Sequence, residues 1–187
     1  MIRQRRFLAW MLPAALLLTG CGYNKIQSLD EQAQSAKQQI QVQLQRRADL
    51  IPNLVNTVKG VTKQEDTVYI SIANARAQLA GAVKTGDPAQ MAAADQAATG
   101  AIGRLLAIAE NYPQLKSNEN FLALQDELTG TENRVAVARG DYNSAVQAYN
   151  TYIRTFPQAI TAKVTGAKAR AYYEAAPGSA TTPTVKF

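Results

Sequence analysis

Apolar residues recur at steps of three and four along the first half of the chain, at Ile26, Leu29, Ala33, Ala36, Ile40, Leu44, Leu50, Ile51, Leu54, Val58 and Val61. Gln, Lys, Arg and Asp fill the positions between them, so the spacing predicts a long amphipathic helix with one apolar stripe. Pro52 falls inside that helix, where it removes a backbone hydrogen bond and crowds the preceding turn; a kink or short break is expected near 49–52. A second helix is predicted from Glu65 to about Lys84 on Val68, Ile72, Ala75 and Leu79, closed by Thr85-Gly86-Asp87-Pro88. Asp87 and Pro88 suit the N-cap and first position of a third helix, which turns Met91, Ala94, Ala98, Ile102, Leu105 and Ile108 inward and ends at Tyr112-Pro113.

The second half carries the most regular pattern. Phe121, Leu128, Val135, Tyr142, Tyr149 and Phe156 recur every seven residues, and Leu124, Ala138, Ala145 and Tyr152 complete a coiled-coil-like seam. A helix from about Asn118 to Thr155 would reach about 55 Å at 1.5 Å per residue. Pro157 should end or bend it, with a last short helical piece over 159–173. Residues 176–187 are rich in Pro, Gly, Ser and Thr and are expected to form a disordered tail. The fold expected from four apolar stripes without a hairpin signature is all-α, an antiparallel up-and-down four-helix bundle with long first and last helices.

The amino terminus has a different character. Arg3, Arg5 and Arg6 precede an apolar run of about 12 residues, Phe7 to Leu18, too short to span a hydrocarbon core of ~30 Å as an ordinary helix. Leu18-Thr19-Gly20-Cys21 follows and resembles a lipobox, so residues 1–20 are expected to be a lipoprotein signal peptide and Cys21 the lipidation site. Several acyl chains on one residue, palmitate among them, give stable attachment because each buried CH₂ contributes ~0.8 kcal/mol. Gly22 follows the cysteine, where aspartate retains many lipoproteins of two-membrane cells at the inner membrane. By that resemblance the chain is expected in the bacterial cell envelope, lipid-anchored on the periplasmic face of the outer membrane if the cell is diderm.

Composition narrows the chemistry further. The 187 residues, 47% hydrophobic and 18% charged, suffice for one domain with a real core, expected over 21–175. With no histidine and one cysteine, neither a metal site nor a cofactor is expected, and the commonest general base is missing. Of 20 basic residues three precede Cys21, whereas all 14 acidic residues follow it, so the mature part has a net charge of only +3. Its basic residues are scattered, so nucleic-acid binding is not expected.

Gln45-Arg46-Arg47-Ala48-Asp49-Leu50-Ile51-Pro52-Asn53-Leu54-Val55 resembles the signature of the LemA family. Ala75-Arg76-Ala77, Arg104-Leu105-Leu106, Glu110-Asn111-Tyr112-Pro113-Gln114-Leu115, Gly130-Thr131-Glu132-Asn133-Arg134 and Tyr149-Asn150 agree in order, over about Tyr23 to Glu174. The resemblance implies an all-α bundle tethered to the membrane by its amino terminus, without an established enzymatic activity or cofactor. It also implies an envelope protein partner, such as a membrane peptidase or TPM-domain protein. Three departures stand out: the lipobox replaces the family's usual membrane-spanning anchor, Lys37 stands where a tryptophan is common, and Gln64 where a histidine is frequent.

Two polar islands interrupt the apolar seams: Arg46, Arg47, Asp49 and Asn53 beside Pro52, and Glu132, Asn133 and Arg134 in the last long helix. They could converge on a ligand, or form a structural network in which Arg47, on the apolar stripe, pairs with Glu132. The network is the favoured reading, with Glu110 also paired to an arginine, and Asn53, Asn133, Asn143 and Asn150 as candidates to cap carbonyls freed by Pro52. Tyr142, Tyr149 and Tyr152 are candidates for a partner face, although their heptad spacing places them in the core. A non-enzymatic binding or scaffold role follows. The alternatives are an enzyme acting on an envelope polymer, with Glu110 and Glu132 as acid and base, and a homo-oligomeric assembly built on the heptad seam.

Overall fold

The computed structural model describes the backbone of residues 2–60 and 66–174, and the side chains of 22–60 and 67–174. The Cys21 side chain and the tail 176–187 lie outside the described residues, as do the side chains of the expected signal peptide. Every described element is helical: α1 (Ile2–Lys59), α2 (Asp66–Thr85), α3 (Pro88–Ala109), α4 (Pro113–Lys116), α5 (Glu119–Tyr152) and α6 (Gln158–Thr165). The chain divides into two compact units, Met1–Ala36 with Asp141–Ala171, and Lys37–Gly140 with Tyr172–Phe187.

In the second unit, Ile51, Leu54 and Val58 of α1 meet Ile72 and Ala75 of α2, Ala101, Ile102 and Leu105 of α3, Leu115 of α4, and Phe121 and Leu128 of α5 in one core. The alanines of α3 that periodicity turns inward, Ala94 and Ala98, are buried. α2 and α3 are joined by Gly86 and Asp87 alone. Gly86 has φ 64°, the left-handed region where a Cβ is unfavourable, and the Asp87 carboxylate accepts from Gln90 N at 3.2 Å to cap α3. Gln41 of α1 donates to the Val83 carbonyl at 2.7 Å, satisfying an acceptor at the end of α2.

Of the kink or short break expected near 49–52, no break occurs: α1 runs through Pro52 as continuous helix. A proline at 52 leaves the carbonyl four residues earlier, that of Ala48, without its helical donor. Arg76 of α2 supplies one, its Nε donating to Ala48 O at 3.1 Å. Of the candidate asparagines, Asn53 and Asn133 are exposed, and Asn150 bonds the Arg170 backbone instead.

In the first unit, Ile26 and Leu29 of α1, Tyr149 of α5, Ile153 just beyond the end of α5 and Ala162 of α6 form the core. α5 ends at Tyr152, three residues short of the expected Thr155. Phe156 therefore leaves the heptad and is 78% exposed, whereas the five earlier members, Phe121 to Tyr149, are buried. The last helical piece is also shorter than 159–173: Gly166, at φ 73°, ends α6 in a left-handed cap. The non-helical segment that follows is held by side chains. Asn150 donates to Arg170 O at 2.9 Å and accepts from Arg170 N at 2.8 Å, and the Tyr142 hydroxyl donates to Ala171 O at 2.8 Å.

Candidate functional site

The stretch 45–55 of α1 divides by helical periodicity into two faces. Arg47, Ala48, Ile51 and Leu54 point inward, while Gln45, Arg46, Asp49 and Asn53 are exposed. The outward residues, with Gln38, Gln41, Val42, Leu50 and Val83, line an open groove of about 770 Å³ along α1 and the end of α2. Its floor carries amide, carboxylate and guanidinium groups beside the apolar Val42, which is 57% exposed. Such a surface offers hydrogen bonds and an apolar foothold to a polypeptide, without an enclosed cavity.

Beneath that face lies a buried ion pair. Arg47 Nη1 stands 2.6 Å from Asp95 Oδ1 on α3, both side chains almost fully buried, and Arg47 Nη2 stands 3.6 Å from the exposed Glu132. Arg139 approaches the other Asp95 oxygen at 3.7 Å, and its guanidinium stacks 4.8 Å from the ring centroid of Tyr173. Burial, reinforced by the nearby Asp95 carboxylate, pushes the Tyr173 phenol well above its ordinary range. Arg47 Nε is buried with no hydrogen-bond partner, a cost the two Nη contacts must outweigh.

The remaining candidates do not converge on one point. Arg46 and Arg134 both reach Glu127 Oε1 at 2.8 Å, and Arg134 Nε also donates to Gln43 at 3.1 Å. Asp49 accepts from Gln45 at 2.9 Å. Glu110 pairs with Lys116 at 2.7 Å, not with an arginine. Glu132 joins Arg47 as expected, but at a longer distance than Asp95. Asn133 is exposed.

The three tyrosines divide differently. Tyr142 and Tyr149 are 2% and 3% exposed, so they belong to the interior and not to a partner face. Tyr152 is half-exposed and lines a shallow cavity of about 390 Å³ with Ser144, Gln147, Thr151, Thr155 and Gln158. Beside Tyr149, Arg170 grips Asp30 of α1 through two contacts, Nε to Oδ1 at 2.7 Å and Nη2 to Oδ2 at 2.8 Å. The guanidinium hydrogen bonds hold the Asp30 carboxyl below its ordinary value, and the same bonds raise Arg170. Burial, with Asp30 adding to it, raises the Tyr149 phenol.

Asp95, Arg139, Arg76, Asp30, Arg170 and Tyr173 were not singled out in the sequence as site residues. A signal existed for Asp95: it lies four residues after Met91 and three before Ala98, a carboxylate on the apolar stripe of α3 just as Arg47 is a cation on that of α1. The others pair over long sequence separations and leave no local trace. Among the described residues, no cluster of histidine, cysteine or carboxylate side chains could hold a metal ion. Among the same residues, no helix is long and apolar enough to cross a membrane.

The LemA family pattern matches residues 36–187, which include the groove and the buried ion pair. The chain is also similar to magnetosome protein MamQ 2 of Paramagnetospirillum magneticum, 26% identical over 182 residues covering 85% of this chain and 67% of that one. Magnetosome protein MamQ 1 of the same organism and MamQ of Magnetospirillum gryphiswaldense show the same identity and coverage.

Proposed function

The chain belongs to the LemA family, and on that premise we propose that it is a membrane-anchored envelope protein whose activity is binding a protein partner through the outward face of α1. Lipidated Cys21 holds it at the membrane, and the helices form an up-and-down bundle on which α1, α2, α3 and α5 are the long members. The observation that carries the binding reading is the groove along Gln38, Val42, Gln45, Arg46 and Asp49: the signature stretch turns its outward residues into an open, mixed polar and apolar surface. Its inward residues serve packing and a buried ion pair. The envelope partner expected from the family, a membrane peptidase or TPM-domain protein, would be engaged on this face.

Glu110 and Glu132 each sit in an ion pair with a different cation, which favours binding over an acid and base acting together on an envelope polymer. Photo-crosslinking in intact cells tests the reading. With a photoreactive residue at Val42, one recurrent envelope protein should be captured, and the yield should fall in the Cys21→Ser variant. No adduct at Val42, Gln38 or Asp49 would overturn the groove as the binding face. Self-adducts would favour the homo-oligomer. Loss of the cellular phenotype in Glu110→Gln or Glu132→Gln variants of unchanged stability would favour the enzyme.

A further inference from the structure

α6 is built inside out. Its buried residues are the small Thr161 and Ala162, while the large apolar Ile160 and Val164 are 57% and 82% exposed. Phe156, four residues before Ile160 and just ahead of the helix, is 78% exposed. Single exposed apolar residues are ordinary on a protein surface, but Ile160 and Val164, four apart within α6, share one face of it, and Phe156 exposes a third large side chain just ahead of the helix. Cations accompany it. From 142 to 173 the chain has Arg154, Lys163, Lys168 and Arg170 and no acidic residue. Arg170 is tied to Asp30, and the other three are exposed.

This face has a defined place in its unit. Gly22 is buried against α6: a Cβ at Gly22 would meet Thr161 Oγ1 at 3.4 Å. Gly22 directly follows Cys21, so α6 packs against the first residue beyond the proposed lipid attachment. The geometry points to α6 as an interfacial foot, with Phe156, Ile160 and Val164 entering the headgroup region of the anchoring bilayer and Arg154, Lys163 and Lys168 meeting anionic lipid phosphates. An apolar helix face with flanking cations lies in a membrane interface to a depth of about 5–10 Å, and juxtamembrane cations are drawn to an anionic leaflet. The inference rests on the reading that the chain is held to a membrane at its amino terminus. The occupant is a lipid surface, because the exposed apolar face of α6, a stretch 142–173 with exposed cations and no acidic residue, and the packing of Gly22 on Thr161 occur together in one unit.

The test uses the full chain, anchored in vesicles containing phosphatidylglycerol, with a polarity-sensitive dye on Val164→Cys. Acylation of Cys21 leaves the new thiol as the labelling site. Ser35→Cys is the control, exposed in the same unit and 13 residues beyond Gly22, about 20 Å along α1. Nitroxide carried on shallow lipid positions should quench the dye at 164 several-fold more than at 35. Equal quenching at the two positions overturns the inference. So does a dye at 164 that is shielded from water yet unquenched by lipid, since a protein or a second copy then covers this face. Mass spectrometry of the same preparation separates the two readings: a chain without acyl groups on Cys21 overturns the lipid anchor, and quenching at 164 still decides the position of α6.

Discussion

Arg47 shows how much a single side chain can commit. Its guanidinium lies beside Asp95 with both side chains nearly sealed from water, so removing one partner strands a buried charge. Arg47→Ala should destabilise the chain by about 3–5 kcal/mol in urea unfolding, whereas Arg47→Met with Asp95→Leu should be close to neutral or stabilising. A mild effect of Arg47→Ala would mean that water reaches the pair. Asp30 predicts a pH effect whose sign is definite. Its carboxyl is lowered in the folded state by Arg170, so the contribution is present above about pH 3.9, the ordinary aspartate value, and is lost as pH falls through the folded value. The pair is partly exposed, which limits its worth to about 1 kcal/mol. Asp30→Asn should remove that part of the acid dependence. Tyr173 acts in the opposite range: its raised phenol favours the folded state below about pH 10 and withdraws that support as pH rises further. Tyr173→Phe should flatten the alkaline limb of a stability profile.

At the scale of the elements, the continuity of α1 through Pro52 has an identifiable cause. The carbonyl that the proline strands is taken up by Arg76 of α2. Arg76→Ala should cost about 1 kcal/mol, and less in a Pro52→Ala background, where the helix supplies its own N–H. A double-mutant cycle measures the coupling, and a value near zero would show that the hydrogen bond does not compensate the proline. Periodicity made α1, α2, α3 and α5 legible because each repeats its apolar residues over many turns, and the Asp87-Pro88 start of α3 was legible because the capping chemistry is local. The short α4 was not expected, because four residues are too few to repeat an apolar stripe, and two elements near the chain's end came out shorter than their patterns implied. Phe156 kept the seven-residue spacing, but α5 had already ended at Tyr152. The 159–173 piece stops at Gly166 because Asn150 and Tyr142 bond the following backbone from another helix.

On the scale of the whole molecule, each unit has a core of its own. The Arg170 grip on Asp30 belongs to the first. Acidification or Asp30→Asn should therefore raise hydrogen exchange over 141–171 before it affects the second unit, and exchange that rises uniformly along the chain would contradict separate responses. Periodicity by itself determined that the protein is helical, where the long helices run and which stripes face inward, because burial of an apolar face repeats at the helical period. It also flagged Arg47 as a charge that needs a partner. The fold alone decided the partner, Asp95 before Glu132, and placed Tyr142 and Tyr149 in the interior. Likewise it was packing that set the outward residues of 45–55 in a groove and brought α6 against Gly22. These are contacts between residues about 40 to 140 positions apart, and a local pattern carries no term for which distant stripe it will meet.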